Sequence, residues 1–86
     1  MTSEHFKKDV WKYAEKIKVN PKEIHLRKMK NKWASCSSRG RITFDMEILT
    51  LSKKRRDEII VHELLHLRYP THNKMFRRMM DRYLKG

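Results

Sequence analysis

His62-Glu63-Leu64-Leu65-His66-Leu67-Arg68-Tyr69-Pro70-Thr71-His72 is the stretch on which the reading of this chain turns. It opens with a His-Glu-x-x-His signature. On a helix, residues four apart differ by about 40° around the axis and about 6 Å along it, so His62 and His66 can offer their imidazoles to one metal ion from one face. Glu63 is rotated by about 100° from His62, close enough to touch a water on that metal without ligating it. A catalytic zinc site takes three protein ligands and leaves one position open. His72 is the candidate third ligand, six residues beyond His66 and past a Tyr69-Pro70 break that can turn the chain back toward the metal. Cys36 lies in a loop with no CxxC partner. Glu58 is on the His62 side of the helix, and Asp81 is more than two turns along the next one. The signature also arises by chance on buried helices. Here an apolar helix, a proline break and a third histidine accompany it.

Working outward, residues 52–67 read as a helix with Ser52 as its N-cap. The basic run Lys53 to Arg56 falls in its first turn, an unfavourable place against the helix dipole, and the sequence names no compensation. Ile60, Leu64 and Leu67 share one side and Val61 and Leu65 another. The helix is therefore expected to be buried, with its histidines facing a cleft. Residues 71–84 read as the last helix, with Thr71 as N-cap and His72 in the first turn. A stripe of Met75, Phe76, Met79, Met80, Tyr83 and Leu84 should dock it on the core.

Residues 3–18 read as an amphipathic helix capped by Ser3, with Phe6, Val10, Tyr13, Ala14 and Ile17 inward, stopped by Asn20-Pro21. Residues 23–29 and 41–48 read as strands. In the second, Ile42, Phe44, Met46 and Ile48 alternate with Arg41, Thr43, Asp45 and Glu47. The polar stretch 31–40 joins them as a loop, too long for a tight hairpin and able to continue either strand for part of its length. His5 and His25 read as solvated. The candidate substrate cleft is made of Trp33, Ser35, Arg41, Thr43 and Tyr69, and an extended peptide is expected to pair with the edge at 41–46. Arg39 and Tyr69 are the candidates for a second oxyanion donor.

Eighty-six residues predict one domain over 1–86, with a modest core that a bound metal would reinforce. One cysteine, Cys36, excludes an internal disulfide. No signal-peptide pattern and no membrane-length apolar run is present, so a cytoplasmic protein without membrane contact is expected. Twenty-two Lys and Arg against 10 Asp and Glu give a net charge of +12. The basic residues are dispersed, which predicts a solvated surface with non-specific affinity for nucleic acid. Nothing in the sequence sets an oligomeric state.

Three elements together carry a family resemblance. Trp33-Ala34-Ser35-Cys36-Ser37-Ser38-Arg39-Gly40 resembles the W-G-S-C-S-S-K-G stretch of the YgjP-like metallopeptidases. Arg41-Ile42-Thr43-Phe44-Asp45 is similar to the strand that follows it there. His62-Glu63-Leu64-Leu65-His66 and His72-Asn73-Lys74-Met75-Phe76 match the family's H-E-L-x-H and H-x-x-x-F elements. WLM and SprT-like proteases share parts of this pattern. The resemblance covers residues 24–80. It implies an α+β, minimal zincin or gluzincin-like domain, with a short antiparallel sheet packed on an active-site helix between N- and C-terminal helices. It also implies one Zn2+ on His62, His66 and His72, Glu63 as general base, and a peptide or protein substrate. Ala34 departs from the family's glycine, and Tyr69 stands where metzincins keep glycine. One helix replaces the family's β-rich N-terminal part, as in a compact version or a piece of a longer protein. Two rival functions remain: a basic zinc-containing module associated with nucleic acid, and a structural zinc domain without catalysis.

Overall fold

Helix α2 (Lys53–Leu65) is the element against which the others assemble in the computed structural model, which describes residues 1–85. It packs on helix α1 (Ser3–Ile17), helix α3 (Lys74–Lys85) and strand β2 (Ala34–Cys36). Ile60, Val61, Leu64 and Leu65 of α2 are fully buried. The apolar crowding of this helix thus does what the sequence predicts and seats it in the core. Its N-terminus is capped by Ser52, whose hydroxyl accepts from the Arg55 amide at 3.3 Å. The basic first turn is compensated after all. Lys53 donates to Asp57 at 2.7 Å and Arg55 to Glu58 at 3.3 Å. Arg56 donates to the Leu51 carbonyl at 2.6 Å.

Helix α1 starts at Ser3, but its cap is Thr2 rather than Ser3: the Thr2 hydroxyl accepts from the His5 amide at 3.1 Å. Lys18 ends it in the left-handed conformation, with the Val19 amide returned to the Ala14 carbonyl at 3.0 Å. The stop is therefore made before Asn20-Pro21. Phe6 of α1 meets Phe44 edge to face at a centroid distance of 5.0 Å, which fastens the helix to the sheet.

The architecture is α+β, as expected, but the sheet is mixed rather than antiparallel. Strand β1 (Glu23–Arg27) pairs in parallel with β3 (Arg41–Asp45), and β2 pairs antiparallel with β3. The order β1-β3-β2 puts β3 in the middle. The loop 31–40 contains the third strand. The strand expected to run to residue 48 stops at Asp45, whose carboxylate accepts from the Glu47 amide at 3.1 Å and starts a 3-10 turn over Met46–Thr50. Ile24, Ile42 and Cys36 face the helices together with Leu26, Phe44 and Ala34. His25, Thr43 and Ser35 occupy the opposite face.

Candidate metal centre

The last turn of α2 tightens as it delivers its second histidine. Amides of His66, Leu67 and Arg68 reach back three residues, to Glu63, Leu64 and Leu65, at 3.2, 3.1 and 3.0 Å. Pro70 cannot continue the helix. Helix α3 begins at Lys74, not after Thr71, because the Asn73 side chain is the cap: its Oδ1 accepts from the Phe76 amide at 2.9 Å. His72 therefore stands just outside the helix, on the connecting segment, and not in a first helical turn.

Three ring nitrogens converge. His72 Nε2 lies 3.1 Å from His62 Nε2 and 3.1 Å from His66 Nε2. The three are the metal-ligand group found among the described residues, and Cys36, Glu58 and Asp81 are not in it. A neutral imidazole carries one N–H, so His72 Nε2 can satisfy at most one neighbour by hydrogen bonding. Nitrogens bound at 2.0–2.1 Å to one tetrahedral zinc lie roughly 3.3–3.4 Å apart, close to the separations here. The donor set fits a cation of that size.

Phe76 backs the cluster. Its buried ring lies 5.3, 4.9 and 4.8 Å from the rings of His62, His66 and His72. Glu63 fixes one tautomer: His62 Nδ1–H donates to Glu63 Oε2 at 3.0 Å, leaving the lone pair on Nε2. The Glu63 side chain is 11% exposed and that of His62 40%, so the carboxylate sits below an open ring.

Glu63 lines depressions on both sides of the histidines. One, of about 480 Å3, is walled by Trp33, Ala34, Ile59 and Met80, with Lys32, Arg55 and Glu58. The other is lined by Cys36, Ser37, Ser38, Leu67 and Pro70. Burial pushes the Cys36 thiol pKa up, and the Glu63 charge adds to the rise.

Of the expected cleft residues, Trp33 is in place. Ser35 and Thr43 are cross-strand partners on the sheet face turned away from the helices, because their neighbours Ala34, Cys36, Ile42 and Phe44 take the inner face. Arg41 shares that outer side and donates to Glu23 at 2.9 Å, a bond that holds the Glu23 carboxyl below its usual pKa. Tyr69 packs against the core margin beside Arg68 and lines neither depression. The edge expected at 41–46 is not an edge, since β3 is flanked on both sides; β2 is the outer strand next to the cleft. Ile59 falls beside the histidines by its place on the helix, whereas Ala34 and Met80 carried no cleft signal in the sequence. Phe76 was legible as a member of the apolar stripe, and its place in the family's H-x-x-x-F element is the signal for its contact with the histidines.

The chain matches the family model of the YgjP-like metallopeptidase domain over residues 1–86. Among solved structures it is similar to the crystal structure of the metallopeptidase zymogen of Pyrococcus abyssi abylysin. The two share 28% sequence identity with a TM-score of 0.77, over 92% of this chain and 80% of that one. No curated protein matches the chain.

Proposed function

The chain belongs to the YgjP-like metallopeptidase domain family, and from that membership we propose that it is a zinc-dependent peptidase with Glu63 as general base. The observation that carries the reading is the convergence of His62, His66 and His72 Nε2 beside the Glu63 carboxylate in an open cleft. A zinc ion held by these three nitrogens would supply a polarised substrate carbonyl and a water of lowered pKa.

The chain's own residues do the rest. Glu63 takes a proton from the attacking water and passes it to the departing amine nitrogen. The His62–Glu63 hydrogen bond and the Phe76 ring hold the imidazoles in orientation, so little reorganisation is needed during reaction. The free edge of β2 receives the substrate backbone as an added strand. Trp33, Ile59 and Met80 cover apolar side chains on one flank. A closed structural site is disfavoured because no fourth side chain joins the three histidines among the described residues. The lone free Cys36 fits a reducing setting such as the cytoplasm without requiring one. No helix among the described residues is long and apolar enough to cross a membrane.

The test is metal analysis of the purified protein together with cleavage of an unfolded protein substrate, with and without a chelator. One zinc per chain and chelator-sensitive cleavage are expected. Stoichiometric zinc with no cleavage would favour the structural alternative.

A further inference from the structure

We infer that the chain carries a second binding site beside the histidines, a basic depression that takes acidic side chains of the peptide substrate. The identity of the ligand rests on the peptidase reading; the existence of the site does not. The depression measures about 400 Å3 and is lined by Lys18, Lys22, Arg39 and Arg68, with no Asp or Glu in its walls. These cations come from three separate segments: the α1–β1 connection, the β2–β3 turn and the α2–α3 connection. None of the four forms an ion pair among the described residues.

The backbone beneath them is fixed. Lys22 N–H donates to the Gly40 carbonyl at 2.8 Å. Gly40 has φ +92°, and a Cβ there would meet the Lys22 amide nitrogen at 3.3 Å, so glycine allows the two segments to close. Arg68 Nη1 donates to the Ile17 carbonyl at 3.4 Å and ties the segment after α2 to the end of α1. Four like charges held in one concavity repel each other, and a ligand carboxylate offsets that repulsion.

The depression continues from the cleft. Ser38 and Leu67 line both it and the pocket that contains Glu63 and His66. Leu67 and Arg68 lie about one helical turn past Glu63, roughly 6–8 Å. An extended chain covers that span in two to three residues at about 3.3 Å each. The recognised acid is therefore two or three residues from the cleaved bond, on the side set by the peptide's direction along β2. Nucleic-acid backbones call for cations strung along a track; these four line a single depression.

The test uses the whole metal-loaded chain and fluorescein-labelled unstructured peptides of one length. They carry Glu two and three residues to one side of a central apolar residue, Glu to the other side, or Gln throughout. Anisotropy should show one Glu peptide binding about fivefold or more tighter than the Gln peptide at low salt. The preference should vanish in Lys22→Gln/Arg39→Gln and persist in Lys8→Gln/Lys12→Gln, which removes equal charge from α1. Equal binding of all three peptides, or equal loss in both double variants, would overturn the inference. So would a duplex oligonucleotide whose affinity falls in Lys22→Gln/Arg39→Gln alone, because that marks a phosphate site. Cleavage is followed separately. Binding preference without any chelator-sensitive cleavage sinks the peptidase reading and keeps the acidic-peptide site; cleavage without preference sinks this inference alone.

Discussion

In the proposed mechanism Glu63 has a proton to move, whereas its histidine neighbours have a metal to hold. Glu63→Gln should keep zinc content and fold and lower peptidase turnover by about 100- to 10,000-fold, the usual range for a lost general base; equal zinc with unchanged turnover would end that role. His72→Ala should weaken zinc binding by more than the roughly 10–100-fold typical of lost outer partners, whereas His25→Ala, exposed beside Glu23 on the far face of the sheet, should leave zinc content unchanged. Cys36 gives a pH readout of the same pocket. Its raised pKa means less thiolate at neutral pH, so alkylation should reach half its maximal rate above the pH of an ordinary thiol. Glu63→Gln removes one of the two causes and should move that midpoint down; an unchanged midpoint would show that the carboxylate is not felt at the sulfur. The histidines were readable because helical spacing places His62 and His66 together without reference to the rest of the fold. His72 was readable as a position but not as a geometry. The sequence favoured Thr71 as the helix cap, and Asn73, bonded to the Phe76 amide, takes that place instead. Alternation shows that Arg41 and Thr43 share one face of a strand without saying which face a cleft adjoins, and Ser35 stood in a stretch read as a loop, where no alternation shows.

At the scale of elements, α2 depends on its cap and α3 on one ring. Ser52→Ala should cost about 1 kcal/mol, read as a drop of roughly 4–8 °C in Tm for a domain of this size. Phe76→Ala should cost about 3–5 kcal/mol. It should also reduce zinc affinity, because the ring touches all three imidazoles; a loss of stability with metal affinity intact would show that Phe76 only fills space. Helices α1 and α3 were legible from apolar periodicity over 15 and 12 residues, and α2 from its Ser52 cap, its apolar second half and the His-Glu-x-x-His spacing. The sheet was less so. Three residues of β2 are too few to show a period. The parallel pairing of β1 with β3 comes from the chain stepping past β3's place to lay down β2 first, a choice that no local pattern records. Met46 continues the alternation on paper and is 53% exposed in the fold, because Asp45 turns the chain there.

At the scale of the molecule, the modest core of an 86-residue chain leaves room for a ligand to matter. Zinc present at 100 times its Kd would add about 2.7 kcal/mol if the unfolded chain binds none, so calorimetry should show Tm falling by roughly 10–20 °C on chelation. A chelator with no effect on Tm would mean that the histidines do not hold the metal in the folded state. The net charge of +12 should give binding to duplex DNA that is indifferent to sequence and weakens steeply with salt; affinity that survives high salt would contradict this. Finally, His72 is carried on the link between α2 and α3, next to the Asn73 cap, and Phe76 is the one fully buried side chain of α3. Coordination there would latch the last helix to the domain. Without the ion, the amides of α3 should be the first to exchange with deuterium, and a protease should nick the 69–73 link before any other. Metal supply would then govern how long each molecule survives as well as whether it works: starvation for zinc would remove the enzyme itself, and replenishment would act only on chains made afterwards.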